Sequence, residues 1–144
     1  MSYQMTIEDA SRIGGSMLGL WAEHGKEVYG KININWYELT DIYRNGRCKF
    51  FVLWHNEEAV GYSFWITGFD FMQAHLLRAD ELAVYVQKPH RGRPAIRFLK
   101  FCEMKLRDMG FNQIVRYTQP NNPLTRVLEK LGYNTKEYLM VKEF

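Results

Sequence analysis

A chain of 144 residues with a formal net charge of +3 can enclose an apolar core unaided. Its cations are spread along the sequence, too mild a balance to indicate a nucleic acid or an anionic membrane. With 47% apolar and 15% aromatic residues it is the opposite of a disordered chain, and Cys48 and Cys102 lack any CxxC or Cys/His spacing, so neither a disulfide scaffold nor a zinc site is expected.

No repeat, low-complexity segment or linker interrupts the chain, and residues 1–144 read as a single domain. Met1-Ser2-Tyr3-Gln4-Met5 lacks the basic-then-apolar order of a secretory leader, and no run approaches the roughly 18 apolar residues of a membrane span, so a cytoplasmic location is expected. Thr6-Ile7-Glu8-Asp9 predicts a helix start, with a capping oxygen and early acids, and Gly25 a helix stop. The Gly14-Gly15 pair weakens that helix by about 1 kcal/mol per glycine relative to alanine. A second helix is predicted over Trp36 to Tyr43, ending at Asn45-Gly46.

From Lys49 the period shortens to two. Lys49 to Trp54, the turn Asn56-Glu57-Glu58, and the alternation of Val60, Tyr62, Phe64 and Ile66 predict an antiparallel hairpin. A third strand is predicted from Asp80 to Val86. Beyond Arg91-Gly92-Arg93, the residues Ile96, Leu99, Cys102, Leu106 and Met109 mark one helical face, closed by Gly110. Phe111 to Thr118 reads as a strand, Asn121 to Leu131 as a helix stopped by Gly132, and Tyr138 to Phe144 as a last strand able to pair across a homodimer. The order α-α-β-β-β-α-β-α-β predicts an α/β (α+β) fold with a mixed sheet and helices on both faces.

The turn His90-Arg91-Gly92-Arg93 opens onto a helix N-terminus, where unpaired N–H groups and the dipole favour anions. Arg91, Arg93 and Arg97 add full charges, so a phosphate or pyrophosphate is the natural ligand; a solvated basic turn is the plainer reading of the same residues. Glu81-Leu82-Ala83-Val84-Tyr85-Val86, Pro89-His90-Arg91-Gly92-Arg93 and the helix after them resemble the acyl-CoA signature of the GNAT family of N-acetyltransferases. Gly110-Phe111, Asn121 and Leu128-Glu129-Lys130-Leu131-Gly132-Tyr133 match the later landmarks of that family, over about Val52 to Phe144. The Asn-Pro-Leu and Leu-Gly-Tyr segments and the terminal Lys-Glu-Phe look most similar to short acetyltransferase-like proteins of bacteriophages.

The resemblance implies a mostly antiparallel GNAT-like sheet and acetyl-CoA as co-substrate, with no metal. Val84, Tyr85 and Val86 would hold the pantetheine arm and polarise the thioester. Arg91, Gly92, Arg93, Ala95, Ile96 and Arg97 would hold the pyrophosphate, and Asn121 would lie near the pantetheine. Attack needs a neutral amine, and Glu81 is the candidate base, with Asp80 its neighbour on the opposite face. The acceptor would be an amine on a protein or small molecule, with no membrane and no nucleic acid indicated.

Three positions depart from the family pattern. Pro94 and Ile96 stand where small residues usually approach the phosphates, and Leu128 stands where the family often carries a tyrosine acid. Two functions follow: an acetyl-CoA-dependent N-acetyltransferase, or a non-catalytic binding or virion-associated protein of the same fold.

Overall fold

The structure, a computed structural model, describes residues 2–8, 10–28, 35–69, 73–118, 121–136 and 140–144. In chain order the elements are β1 (Tyr3–Glu8), α1 (Ala10–Val28), α2 (Trp36–Arg44), β2 (Cys48–His55), β3 (Glu58–Phe69), β4 (Leu77–Val86), α3 (Arg93–Asp108), β5 (Gln113–Val115) and α4 (Pro123–Lys130). One five-stranded sheet runs β1-β2-β3-β4-β5. It is antiparallel throughout except that β4 and β5, joined through α3, are parallel.

Helices cover both faces. Met17, Leu20 and Trp21 of α1 pack on Phe50, Val52, Tyr62, Phe64 and Tyr85, with Leu39 of α2 at the margin. Phe98, Cys102 and Leu106 of α3 pack on Phe51, Leu53, Trp65, Ala79 and Val86. The period-two pattern of β2 and β3 feeds both layers, because alternate side chains point to opposite faces. Asn56 (φ 49°) and Glu57 (φ 68°) both adopt positive φ, the two-residue hairpin turn whose twist suits the strands.

Several expectations need correction. Thr6-Ile7-Glu8 is strand, not helix start; Asp9 lies outside the described residues. Its capping-box appearance is overridden by pairing with β2 from Tyr3↔His55 to Glu8↔Phe50, and Thr6 Oγ1 accepts from Trp54 Nε1 at 2.8 Å. α1 passes through Gly14-Gly15 and Gly25, because burial of one face against the sheet outweighs glycine's weak helix propensity. β5 is only three residues long, and α4 starts at Pro123 under an Asn122 cap, whose Oδ1 accepts the Leu124 N–H at 2.9 Å. Of the strand expected over Tyr138 to Phe144, residues 138–139 lie outside the described residues; 140–144 carry no strand, and Met140, Val141 and Phe144 are exposed. Among the described residues no helix is long and apolar enough to cross a membrane.

Candidate active site at the parting of two strands

The centre of β4 is irregular. Phe64 pairs with Ala83 but Trp65 with Glu81, so Leu82 is an extra residue, a β-bulge. The bulge resets which way the side chains point. Before it, Ala79 and Glu81 face α3 and Asp80 faces α1; after it, Ala83 and Tyr85 face α1 and Val86 faces α3.

β5 parts from β4 at the same place. The two strands pair from Arg78↔Gln113 to Asp80↔Val115, where β5 ends. From Glu81 to Val86 the described chain leaves that edge of β4 without a neighbouring strand. Gln87 N–H donates to Val60 O across β3 at 2.9 Å. Alternation of the backbone therefore turns Tyr85 toward β3, and Val84 and Val86 toward the open edge. The Val86 carbonyl accepts from Arg91 Nε at 2.7 Å there. So the backbone of Val84 and Val86, not that of Tyr85, faces the opening.

The edge leads directly into the basic turn. After a short 3-10 turn at Lys88–His90, Gly92 (φ 107°, ψ −134°) starts α3 in a conformation that suits only glycine. Pro94 in the first turn has no N–H, and Ile96 N–H donates to Gly92 O at 3.0 Å. Of the expected backbone donors, those of Gly92, Arg93 and Ala95 remain to meet an anion. Arg93 and Arg97 are exposed and form no ion pair among the described residues. Arg91 is engaged instead: its Nη2 donates to Glu27 Oε2 at 3.0 Å, and its guanidinium lies 5.4 Å from the Tyr85 ring centroid. Asn121 is exposed on the turn before α4.

α1 is stitched to this end of β4. Tyr85 Oη donates to Glu27 Oε2 at 2.9 Å, Gln87 Nε2 reaches Glu23, and His24 stacks on Tyr85 at 4.9 Å. Burial and Glu27 push the Tyr85 hydroxyl up to about 12, while the bonds from Tyr85 and Arg91 hold the Glu27 carboxyl low. Burial also lowers the pKa of His24, whose Nδ1 shares a 2.6 Å hydrogen bond with Tyr62 Oη; Glu27 opposes the shift and Arg91 adds to it. In the unfolded chain His24 takes up its proton near pH 6.5, before it does in the fold, so stability falls as pH drops below about 6.5. Thermal melts between about pH 7 and 5 will show a steeper loss for the wild type than for His24→Gln; parallel curves would mean that His24 is not the linked group.

The two candidate carboxylates have different surroundings. Glu81 is 3% exposed, and its Oε2 accepts from Ser63 Oγ at 2.5 Å and from Arg116 Nη1 at 2.6 Å. Arg116 also donates to the Tyr133 hydroxyl and the Leu99 carbonyl and lies 4.8 Å from the Trp65 ring centroid; Tyr133 in turn donates to Glu103. Burial raises the Glu81 carboxyl above its ordinary value, against the pull of Arg116 and Ser63. At 2.6 Å the contact has the length of a charge-assisted bond. Asp80 is on the other face, at the point of parting. Its oxygens accept from Arg78 at 2.6 and 2.9 Å and from the Tyr117 hydroxyl at 3.1 Å, and Tyr117 is 58% exposed.

No protein-family model matches the sequence, and no curated protein does. Solved structures do match. An aminoglycoside acetyltransferase from an uncultured soil metagenomic sample aligns over 100% of this chain and 99% of its own, with a TM-score of 0.78 at 16% identity. The ribosomal-protein-alanine N-acetyltransferase of Brucella melitensis biovar Abortus aligns over 99% of both chains, with a TM-score of 0.76 at 13% identity. The fold is that of the GNAT acetyltransferases. A third GNAT-fold structure, AAC(6′)-Iy in complex with the bisubstrate analogue CoA-S-monomethyl-acetylneamine, covers 100% of this chain and 99% of its own (TM-score 0.71, 14% identity).

Arg116 and Tyr117 escaped the reading of the sequence. One signal pointed toward Arg116: Glu81 opens the apolar run Leu82 to Val86, and a buried carboxylate requires a cation. No local spacing names which of 19 lysines and arginines supplies it.

Proposed function

We propose that the chain is one acyltransferase domain, residues 1–144, that transfers an acetyl group from acetyl-CoA to an amine. The observation that carries this reading is the edge of β4 at Val84 and Val86, without a neighbouring strand among the described residues, running into the glycine turn and basic N-terminus of α3. A pantetheine arm is an extended amide chain that can hydrogen-bond such an edge, and a pyrophosphate suits the helix start beside it. Arg93, Arg97 and the N–H groups of Gly92, Arg93 and Ala95 take the phosphates. Arg91 holds α1 to the turn, and in this reading Asn121 is the residue that meets the arm.

The amine attacks the thioester carbonyl, whose developing negative charge is met by backbone N–H from the β4 edge. The C–N bond forms and the C–S bond breaks; the proton lost by nitrogen passes to Asp80 and on to water, and the thiolate takes a proton from solvent. We place the base at Asp80 because it stands where the strands part and its partner Tyr117 is exposed for an amine to displace. Glu81, the first candidate, is enclosed by Ser63 and Arg116, and in this reading it anchors Arg116. The acceptor is an amine, as the names of the aminoglycoside and ribosomal-protein-alanine enzymes indicate for theirs.

The non-catalytic reading has two observations in its favour: the N–H missing at Pro94, and Leu128, which is 4% exposed and packs in the core. Calorimetry separates the cases. Acetyl-CoA will bind the wild type and turn over with an amine, whereas Arg93→Ala/Arg97→Ala will bind at least tenfold more weakly with a flatter salt dependence, since charged hydrogen bonds are worth roughly 1.5–3 kcal/mol each. Binding without turnover favours the non-catalytic reading; equal affinity in the double variant moves the phosphates elsewhere.

A further inference from the structure

The guanidinium of Arg91 lies across the end of the β4 opening. Its Nε donates at 2.7 Å to the carbonyl of Val86, the last residue of β4 and one whose backbone faces the open edge. Its Nη2 donates to Glu27 Oε2 at 3.0 Å. An extended ligand carrying phosphates needs a free carbonyl on the edge and a free cation at the turn, and Arg91 ties up both. Glu27 comes from the last turn of α1, which ends at Val28. One turn earlier Glu23 faces the same way and accepts from Gln87 Nε2 at 3.1 Å. A helix C-terminus itself carries partial negative charge. The end of α1 therefore sets carboxylates and a negative dipole beside the basic turn, which opposes an anion there.

We infer that Arg91 and Glu27 form a latch that an arriving acetyl-CoA must open, so that Glu27 sets the affinity for its pyrophosphate. This rests on the acyltransferase reading above. The exchange leaves every group partnered. Phosphate oxygens replace the Glu27 carboxylate on Arg91, because a guanidinium fits either oxyanion with the same fork of N–H donors. Moving Arg91 releases the Val86 carbonyl to accept an amide N–H of the pantetheine arm. Glu27 keeps the Tyr85 hydroxyl, which donates to the same Oε2 at 2.9 Å, and Lys88 is the next cation acting on it. The latch is weak enough to yield: the Arg91 and Glu27 side chains are 42% and 32% exposed, and ion pairs so exposed contribute little. Glu27 is thus an internal competitor for the cation that the phosphates use, and its removal raises affinity.

Calorimetric titration of acetyl-CoA into the whole chain tests this. Glu27→Gln will bind acetyl-CoA about five- to tenfold more tightly than the wild type, because a charge-assisted bond to Arg91 no longer has to be broken. Glu23→Gln removes the same charge one helical turn away without touching Arg91, and will change affinity by less than about twofold. In an Arg91→Ala background, Glu27→Gln will likewise change affinity by less than about twofold, since the competitor then has nothing to hold. Equal gains from Glu23→Gln and Glu27→Gln, or a gain that persists without Arg91, would mean a general field effect and overturn the latch. Acetyl-CoA that binds neither the wild type nor any variant defeats the acyltransferase reading together with this inference. Binding that Glu27→Gln leaves unchanged defeats the inference alone. Melting curves establish that each variant is folded. If Glu27→Gln does not fold, the Nε–H NMR signal of Arg91 in the wild type decides: it shifts on saturation with acetyl-CoA if the latch opens, and a signal that stays in place overturns the inference.

Discussion

Glu81→Gln will lower the melting temperature by roughly 10–20 °C. The side chains of Arg116 and Glu81 are 0% and 2% exposed, and their contact is 2.6 Å. Removing one member of such a pair leaves a buried charge without its counter-charge, at a cost of about 3–5 kcal/mol, and in a domain of this size 1 kcal/mol shifts the melting point by roughly 3–4 °C. Arg116→Met will cost a similar amount, because it strands Glu81 and also removes the donor to Tyr133. The double variant Glu81→Gln/Arg116→Met will melt no lower than the worse single one, since neither charge is then left alone. Additive losses in that cycle, or a Glu81→Gln protein melting within about 3 °C of wild type, would show that the charges are not coupled in the folded protein.

Asp80→Asn will reduce kcat at neutral pH by about 10²-fold or more, the usual loss on removing a positioned base. The deficit will shrink as pH rises, because the free amine then loses its proton unaided. Tyr117→Phe will cost less than tenfold, because Arg78 still holds the carboxylate through two contacts. Glu81→Gln, assayed at a temperature where it is folded, will retain most of the rate. The reverse pattern, in which Asp80→Asn is unaffected and folded Glu81→Gln is slow, would return the base to Glu81 and remove Asp80 from the mechanism. A pH–rate profile for each variant distinguishes a lost base from lost folding, since only the former recovers at high pH.

What was legible in the sequence was written in local, short-range physics. The alternation of Tyr62 and Phe64 with Ser63 and Trp65 marks a two-faced strand, and the spacing of Leu99, Cys102 and Leu106 a one-faced helix, and both are found; Val60 departs from the alternation and packs in the α3 layer, because the register against β2 shifts between Leu53 and Trp54. Gly92 and Gly110 fell where positive φ is required, at the two ends of α3. Those features also carried the resemblance to an acyl-CoA signature, and with it the fold.

Tertiary structure decided what depends on distant partners. Tyr3–Glu8 is a strand only because the edge of β2 offers it a ladder, from Tyr3↔His55 to Glu8↔Phe50, a set of distant contacts that outweighs the local capping signal. The bulge at Leu82 comes from the register against Trp65, and it assigns Glu81 to the interior below α3 and Asp80 to the open side where β5 ends. In the sequence the two acids are equal neighbours. A one-residue step in a strand exchanges its faces, and only pairing across the sheet fixes which face each one takes. The ion pair of Glu81 with Arg116 likewise joins β4 to a residue 35 positions on, brought under it by the crossover through α3. Burial selects that one cation from the many in the chain, because only a guanidinium already enclosed beside Glu81 repays the cost of removing both charges from water.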